Sequence, residues 1–323
     1  MRRKNEFSDL YNRELMERCP PGVDAQQWQA FREKYNRASQ LARLDAPAQL
    51  DLELNSQCNL RCPFCIQSQR DMGRDSLPDE TWQKVLREAY ALGVRSLKLN
   101  YQNEPLLNKD LEYAIAYARK LGFLNVFLST NGILLSEDRA QGLIDAGLTK
   151  LFVSIDAATA ETYEQQRDSR LFSRVVSNVR RFVAIRDSMN LSYPLLRVNF
   201  LVTTINAHEK ELFTEQWQDV ADMIIFQDMN ETMANEASGL MPNRSKTGIV
   251  FRCSFPFKQL VVTAKGDLLP CCPQNGINHK LGNLQTMSLA EAWQSGRIEY
   301  LRTLHAEGRY ADDPACLNCV RGK

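Results

Sequence analysis

Eight residues in the first fifth of the chain, Cys58-Asn-Leu-Arg-Cys62-Pro-Phe-Cys65, carry the residue types most able to do chemistry. Three thiols at C-x-x-x-C-x-x-C spacing follow an apolar run, Leu50 to Leu54, that reads as a strand. One loop of that length can aim three sulfurs at a single point. Such a trio suits a 4Fe–4S cluster with three protein ligands and one iron left open. Zinc would ask for a fourth protein ligand, or for histidines and carboxylates about an open position. No histidine lies between Cys58 and Asn206. A structural metal knuckle, or three unrelated free thiols, is the plainer alternative.

A second group of cysteines closes the sequence: Cys253, Cys271, Cys272, Cys316 and Cys319. Leu260–Thr263 and Leu268–Leu269 flank Ala-Lys-Gly266-Asp, a hairpin signal. Ser288 with Glu291 opens a helix that would bury Leu289, Ala292 and Trp293. From spacing alone, a four-cysteine zinc ribbon and an iron–sulfur site are both open. Nine cysteines clustered in this way favour metal ligation over a disulfide framework. Other constellations are missing: there is no Gly-rich phosphate loop, no G-x-S-x-G and no H-E-x-x-H. The three histidines, His208, His279 and His305, are far apart and read as surface residues.

These groups need elements to hold them. From Gln49 onward an apolar strand, a loop, an amphipathic helix and often a glycine recur. Strands are expected at Leu50–Leu54, Ser96–Tyr101, Val126–Ser129, Leu151–Ile155, Arg197–Val202 and Met223–Phe226. Helices fall between them, three of them stopped by Gly93, Gly122 and Gly147. Asn206 with Glu209 three residues on is read as another helix start. Six βα units would close part of a barrel, though spacing leaves a doubly wound sheet open. In either arrangement ligands sit at the carboxyl ends of the strands. Before the barrel, residues 1–48 read as a helical extension broken by Pro20, Pro21 and Gly22. Asp24 caps its second helix, which places Trp28, Phe31 and Tyr35 on one face. Residues 229–250, polar and rich in Met and Asn, read as a linker or lid.

The cysteine motif, with aromatic Phe64 before its last Cys, resembles the signature of the radical S-adenosylmethionine (SAM) superfamily. That resemblance implies a partial (β/α)6 TIM-like barrel over 49–228 and SAM bound to the open iron of the Cys58/Cys62/Cys65 cluster. It further implies reductive cleavage of SAM and hydrogen abstraction by a 5′-deoxyadenosyl radical. Gln102-Asn103-Glu104-Pro105 stands where the family carries Gly-Gly-Glu, which holds the SAM amine. Ser129-Thr-Asn131-Gly132 resembles its ribose-facing turn. Ser154-Ile-Asp156 with Arg167 resembles its carboxylate-binding set, and Asn199 joins the expected SAM contacts. The layout of 251–323 resembles the family's SPASM/twitch extension, which implies an auxiliary 4Fe–4S cluster on Cys253, Cys271, Cys316 and Cys319. Cys272 is then an alternative ligand, a buried thiol or a hydrogen-atom donor, and Asp228 at the end of the sixth strand is a second catalytic candidate.

The expected substrate is a small polar molecule such as a sugar, sugar nucleotide or aminocyclitol, oxidised or epimerised at carbon. Modification of a ribosomally made peptide is the runner-up, and a non-catalytic iron–sulfur scaffold or redox sensor is the reading from another class. Flavodoxin or ferredoxin is the expected reductant. The 40 basic and 39 acidic residues give a net charge of +1, so neither nucleic acid nor a membrane surface is an expected partner. The basic opening Met-Arg-Arg-Lys is followed by polar residues rather than an apolar core, and the expected location is the cytoplasm.

Overall fold

Gln49–Leu52, buried at all four positions, forms the first strand (β1) of the computed structural model. The structure describes residues 9–229, 252–272 and 276–320. Five more strands follow at the expected places: β2 (Ser96–Lys98), β3 (Asn125–Thr130), β4 (Lys150–Ser154), β5 (Leu195–Val202) and β6 (Met223–Asp228). Each pairs in parallel with its predecessor, in the spatial order β6-β5-β4-β3-β2-β1. A doubly wound sheet would reverse direction at an inner strand. This order never does, so the six βα units form a partial barrel.

Parallel strands covered on both faces should be continuously apolar. Leu50, Leu97, Val126, Leu128, Leu151, Val153, Val198 and Phe200 are all fully buried, and they form one core with the helices outside. The largest anchors are Trp82 and Trp217 on those helices, each at most 1% exposed. Truncating such a side chain to Ala costs roughly 3–5 kcal/mol. The expected glycine stops are present. Gly122, at φ +105°, ends the Leu111–Leu121 helix in the left-handed conformation that favours glycine.

The helical extension is present as Asp9–Glu17 and Ala25–Ser39. The Asp24 side chain accepts from the Gln27 amide at 2.9 Å, as its spacing predicts. Trp28 and Phe31 pack on Leu124 at the barrel wall.

At the other side of β1 the sheet continues. The hairpin read from Gly266 is β7 (Gln259–Val262) and β8 (Asp267–Leu269), and β7 runs parallel to β1 with Leu50 opposite Leu260. A short β9 (Gly282–Asn283) completes nine strands among the described residues. The Ser288–Glu291 capping box forms in both directions. Its helix is tied to the segment leading into β1 through the Trp293 indole, which donates to the Leu44 carbonyl at 2.8 Å. The Leu289 amide donates to the Glu88 carboxylate at 2.6 Å.

Two elements differ from expectation. Residues 160–167 form a helix capped by Thr159, and Arg167 is its last residue. The helix expected after Asn206 is present, as a 3-10 turn Ala207–Glu209 leading into Lys210–Trp217, but the Asn206 side chain does not cap it: its amide donates to the Asp156 and Leu201 carbonyls, both at 2.8 Å. Glu209 is likewise spent on the Ala158 amide and the Thr159 hydroxyl. The pair that looks like a capping box instead ties the β5–β6 connection to the end of β4. Most of the expected linker, 229–250, lies outside the described residues.

Candidate functional site

The loop after β1 brings Cys58, Cys62 and Cys65 together. The Cys65 amide donates to the Cys62 carbonyl at 2.9 Å, and Gln67 on the short helix that follows donates to the carbonyls of Ser56 (2.8 Å) and Gln102 (2.9 Å). This stitches the cysteine loop to the end of β2. Burial pushes the Cys58 thiol up to about 12, with Glu104, Cys62 and Cys65 adding to the rise. Cys65 is raised too, first by burial, while Arg167 and Arg61 pull it down. Sulfurs that oppose one another's ionisation without a cation are a donor set completed by one, and three thiolates fit an iron–sulfur cluster.

The expected SAM-binding residues converge on this loop. Glu104 is 2% exposed and accepts from the Thr130 hydroxyl (2.6 Å) and the amides of Asn131 (2.8 Å) and Leu106 (3.0 Å). Burial raises its pKa despite those donors. Its carboxylate thus locks the ends of β2 and β3 together. Asn103 is also spent internally, donating to Asn55 and accepting from the Tyr101 amide, each at 3.0 Å. Asn131 donates to Asn59, within the cysteine motif, at 2.8 Å. The amide of Ser129 is held by Asn100, and Ser154 stands opposite Asn199 across β4 and β5.

Asp156, at φ +63°, turns the chain so that its carboxylate meets the Arg167 guanidinium in a buried ion pair. Arg167 also reaches the Cys62 sulfur at 3.7 Å and lies 5.8 Å from the centre of the Phe64 ring. Around this corner several buried polar atoms have no partner among the described residues: Tyr163 Oη, Asn199 Oδ1 and Arg167 Nε. Such orphans are costly unless a ligand satisfies them. Tyr163 and Arg167 stand on the helix beside the Cys62 sulfur and Asn199 lies opposite the end of β4, where a zwitterionic nucleoside would supply partners. Tyr163, whose pKa burial raises to about 12 in the company of Arg167 and Cys62, escapes sequence reasoning. Nothing marks it beyond an apolar position on an unexpected helix.

Glu53, buried one residue beyond β1, was also missed. It accepts from the Gln102 amide at 3.0 Å and the Ala264 amide at 3.1 Å. One carboxylate therefore fixes both the β2 turn and the β7–β8 turn. Burial raises it to about 7.

The late cysteines form a second group. Cys253, Cys316 and Cys319 all act electrostatically on Cys271, whose thiol burial raises well above its usual value. Cys272 hydrogen-bonds Cys319, so it belongs to this group. The Tyr101 hydroxyl donates to the Cys271 carbonyl at 3.0 Å, which ties the group to the end of β2. A Cβ at Gly276 would meet that hydroxyl at 2.1 Å, so glycine is required for the approach. Two histidines read as surface residues are not: His279 and His305 are 2% and 3% exposed. The Cys253 amide donates to the His305 ring, and the His279 ring faces Cys316. Their burial comes from packing against the cysteine group, which their immediate neighbours in sequence do not reveal. His208 is exposed. Asp228 ends β6 at the sheet edge, also exposed.

Comparison with known proteins accords with this geometry. The radical SAM superfamily profile matches residues 52–199, and that of the SPASM iron–sulfur cluster-binding domain matches 253–320. A GTP 3′,8-cyclase of Synechococcus sp. is 42% identical over 115 residues, 34% of this chain and 32% of the relative. A probable GTP 3′,8-cyclase of Methanocaldococcus jannaschii is 28% identical over 176 residues, 54% of this chain and 56% of the relative. The chain thus spans between a third and a little over half the length of these relatives. Among solved structures, Streptococcus suis SuiB bound to precursor peptide SuiA superposes with TM-score 0.64 at 16% identity, covering 90% of this chain and 74% of that one. BtrN in complex with AdoMet and 2-DOIA superposes with TM-score 0.55 at 19% identity, covering 84% and 92%. At these identities the superpositions show the fold. Among the described residues no helix is long and apolar enough to cross a membrane.

The expectation of a sugar-type substrate that is dehydrogenated or epimerised does not stand. The curated relatives are named as GTP cyclases, and neither the oxidoreductase nor the epimerase description fits that name. The expectation rested on the absence of a peptide-binding domain, which favours no particular small molecule. Residues 52–199 are thus a radical SAM domain, a partial barrel with a SAM-binding 4Fe–4S cluster, and residues 253–320 are a SPASM domain with an auxiliary 4Fe–4S cluster.

Proposed function

We propose that the chain directs the SAM-derived radical onto a guanosine nucleotide, the substrate class that its curated relatives' name supplies. The observation that carries the reading is a cavity of about 550 Å³ beside Cys58, whose lining includes Arg61, Arg70 and Arg74 together with Asp71. Three arginines in one lining are the chemistry that holds a polyphosphate. When bound, the first cluster supplies the electron that cleaves SAM. Cys58, Cys62 and Cys65 hold that cluster in this reading. Phe64 and Arg167 pack beside it, and Asn131, Ser129, Ser154, Asp156, Asn199 and the Gln102–Glu104 turn shape the SAM pocket.

Cys253, Cys271, Cys316 and Cys319 hold the auxiliary cluster. With epimerisation set aside, Cys272 supports Cys319 rather than donating hydrogen to substrate. Asp228, at the carboxyl end of β6, contacts the substrate in this reading. The electron comes from a flavodoxin or ferredoxin in the cytoplasm.

The test is anaerobic turnover of reconstituted protein with reductant, SAM and GTP deuterated on the ribose. GTP should raise 5′-deoxyadenosine formation, with deuterium appearing in that product. Replacing any one of Cys58, Cys62 or Cys65 with Ala should abolish SAM cleavage. Cleavage indifferent to GTP, with no deuterium transferred, would overturn the nucleotide assignment and leave the radical SAM chemistry intact.

A further inference from the structure

His279 lies on a short turn after the Cys271–Cys272 pair, buried against the Pro314–Val320 helix that carries Cys316 and Cys319. Its Nε2 is 3.6 Å from the Cys316 sulfur. Its Nδ1 is 2.7 Å from Nη2 of Arg297. A guanidinium has donors and no acceptor. At that distance Nδ1 must therefore accept, so it carries no proton. The ring proton is then on Nε2, the nitrogen that faces the sulfur. An N–H at that position cannot ligate a metal, but it can donate to a thiolate.

Asp313 does not compete for the proton. Its Oδ1 is also 3.6 Å from Nε2, beyond an ordinary N–H···O bond, and it already accepts from the amides of Ala315 (3.0 Å) and Cys316 (3.1 Å). Its Oδ2 is 3.4 Å from Arg297 and helps hold the guanidinium in place.

We infer that Arg297 fixes the His279 tautomer so that its Nε2–H donates to the Cys316 sulfur and raises the reduction potential of the auxiliary cluster. The inference rests on the auxiliary-cluster reading of Cys253, Cys271, Cys316 and Cys319. Donation to a ligating thiolate withdraws negative charge from the cluster and favours its reduced form. His279 is a positioning residue in this account, and Arg297 positions it in turn.

The experiment uses the full chain with Cys58, Cys62 and Cys65 replaced by Ala, so that the auxiliary cluster is the one that titrates. After anaerobic reconstitution, iron is counted and the midpoint potential is read by EPR-monitored redox titration. His279→Leu in this background should keep its irons but lower the reduced-to-oxidised ratio at a fixed potential about tenfold, equivalent to about 59 mV for one electron. Arg297→Met, which frees the tautomer, should move the potential in the same direction by less. His279→Gln, whose amide can still donate, should lie nearer the parent and guards against a folding defect in the Leu variant.

An unchanged midpoint in both His279→Leu and Arg297→Met would overturn the inference. So would loss of iron from His279→Gln, which would make the imidazole a ligand. A parent protein that takes up zinc in place of iron would instead sink the auxiliary-cluster reading, and the inference with it.

Discussion

Lys150 begins β4 at the end of the barrel away from the cysteines, fully buried, with Nζ 2.5 Å from Asn125 Oδ1 and 5.4 Å from the Trp28 ring centre. Burial, helped by the cations Arg32 and Arg197, lowers its pKa to about 7. An unfolded lysine titrates near ~10.4. Between those values the unfolded chain keeps a proton that the folded chain releases, so this group makes stability rise with pH across that interval. Below it, the folded state carries the full cost of a buried ammonium. Lys150→Met should therefore stabilise the protein by on the order of 1–4 kcal/mol at about pH 6, and the gain should shrink as pH approaches 10. Denaturant melts of both proteins across that range check the sign. Asn125 keeps a partner in the variant, since the Thr149 hydroxyl also donates to it. At this scale the sequence was legible where spacing carried the signal, as in Cys58, Cys62 and Cys65. It was silent where burial decided, as for His279, His305 and Tyr163, whose flanking residues are the same whether the side chain points in or out.

Strands and caps were legible because they repeat: apolar runs of four to six residues, glycine after a helix, a Ser–Glu pair before one. The misreadings came where a side chain that could serve its own segment served another, as with Asn206 and Glu209. Glu53 is the extreme case, alternating with Leu52 and Leu54 as an outward-facing strand residue would, yet buried against two distant turns. Glu53→Ala should leave the Gln102 and Ala264 amides without acceptors, at about 1–3 kcal/mol each. The variant should melt at lower denaturant. Amide exchange should accelerate at both turns and little elsewhere among the barrel helices. Exchange that rises uniformly would show that Glu53 is not the local tie described here.

The whole molecule has a seam that no local pattern foretold. The expected barrel and the expected C-terminal unit share one sheet, because β7 completes β1 on the side opposite β2. A chain ending at residue 251 would expose the β1 edge together with the apolar faces of Leu50 and Leu52. Such a truncation should aggregate or be digested rapidly by protease, where a separable barrel would give a resistant core. Pairings between residues so far apart leave no trace in composition or period; only the family layout hinted that the late segment belonged with the early one.

That pairing also sets an order of events during synthesis. Leu50 meets Leu260 across 210 residues of chain. At ribosomal speeds of about 5–20 residues per second, β1 waits roughly 10–40 s for its neighbour. Through that interval it is an unguarded template for any passing strand, and contacts of such long range form slowly even once the chain is complete. Yield of native protein should therefore depend on growth temperature and chaperone supply more steeply than equilibrium stability alone would dictate.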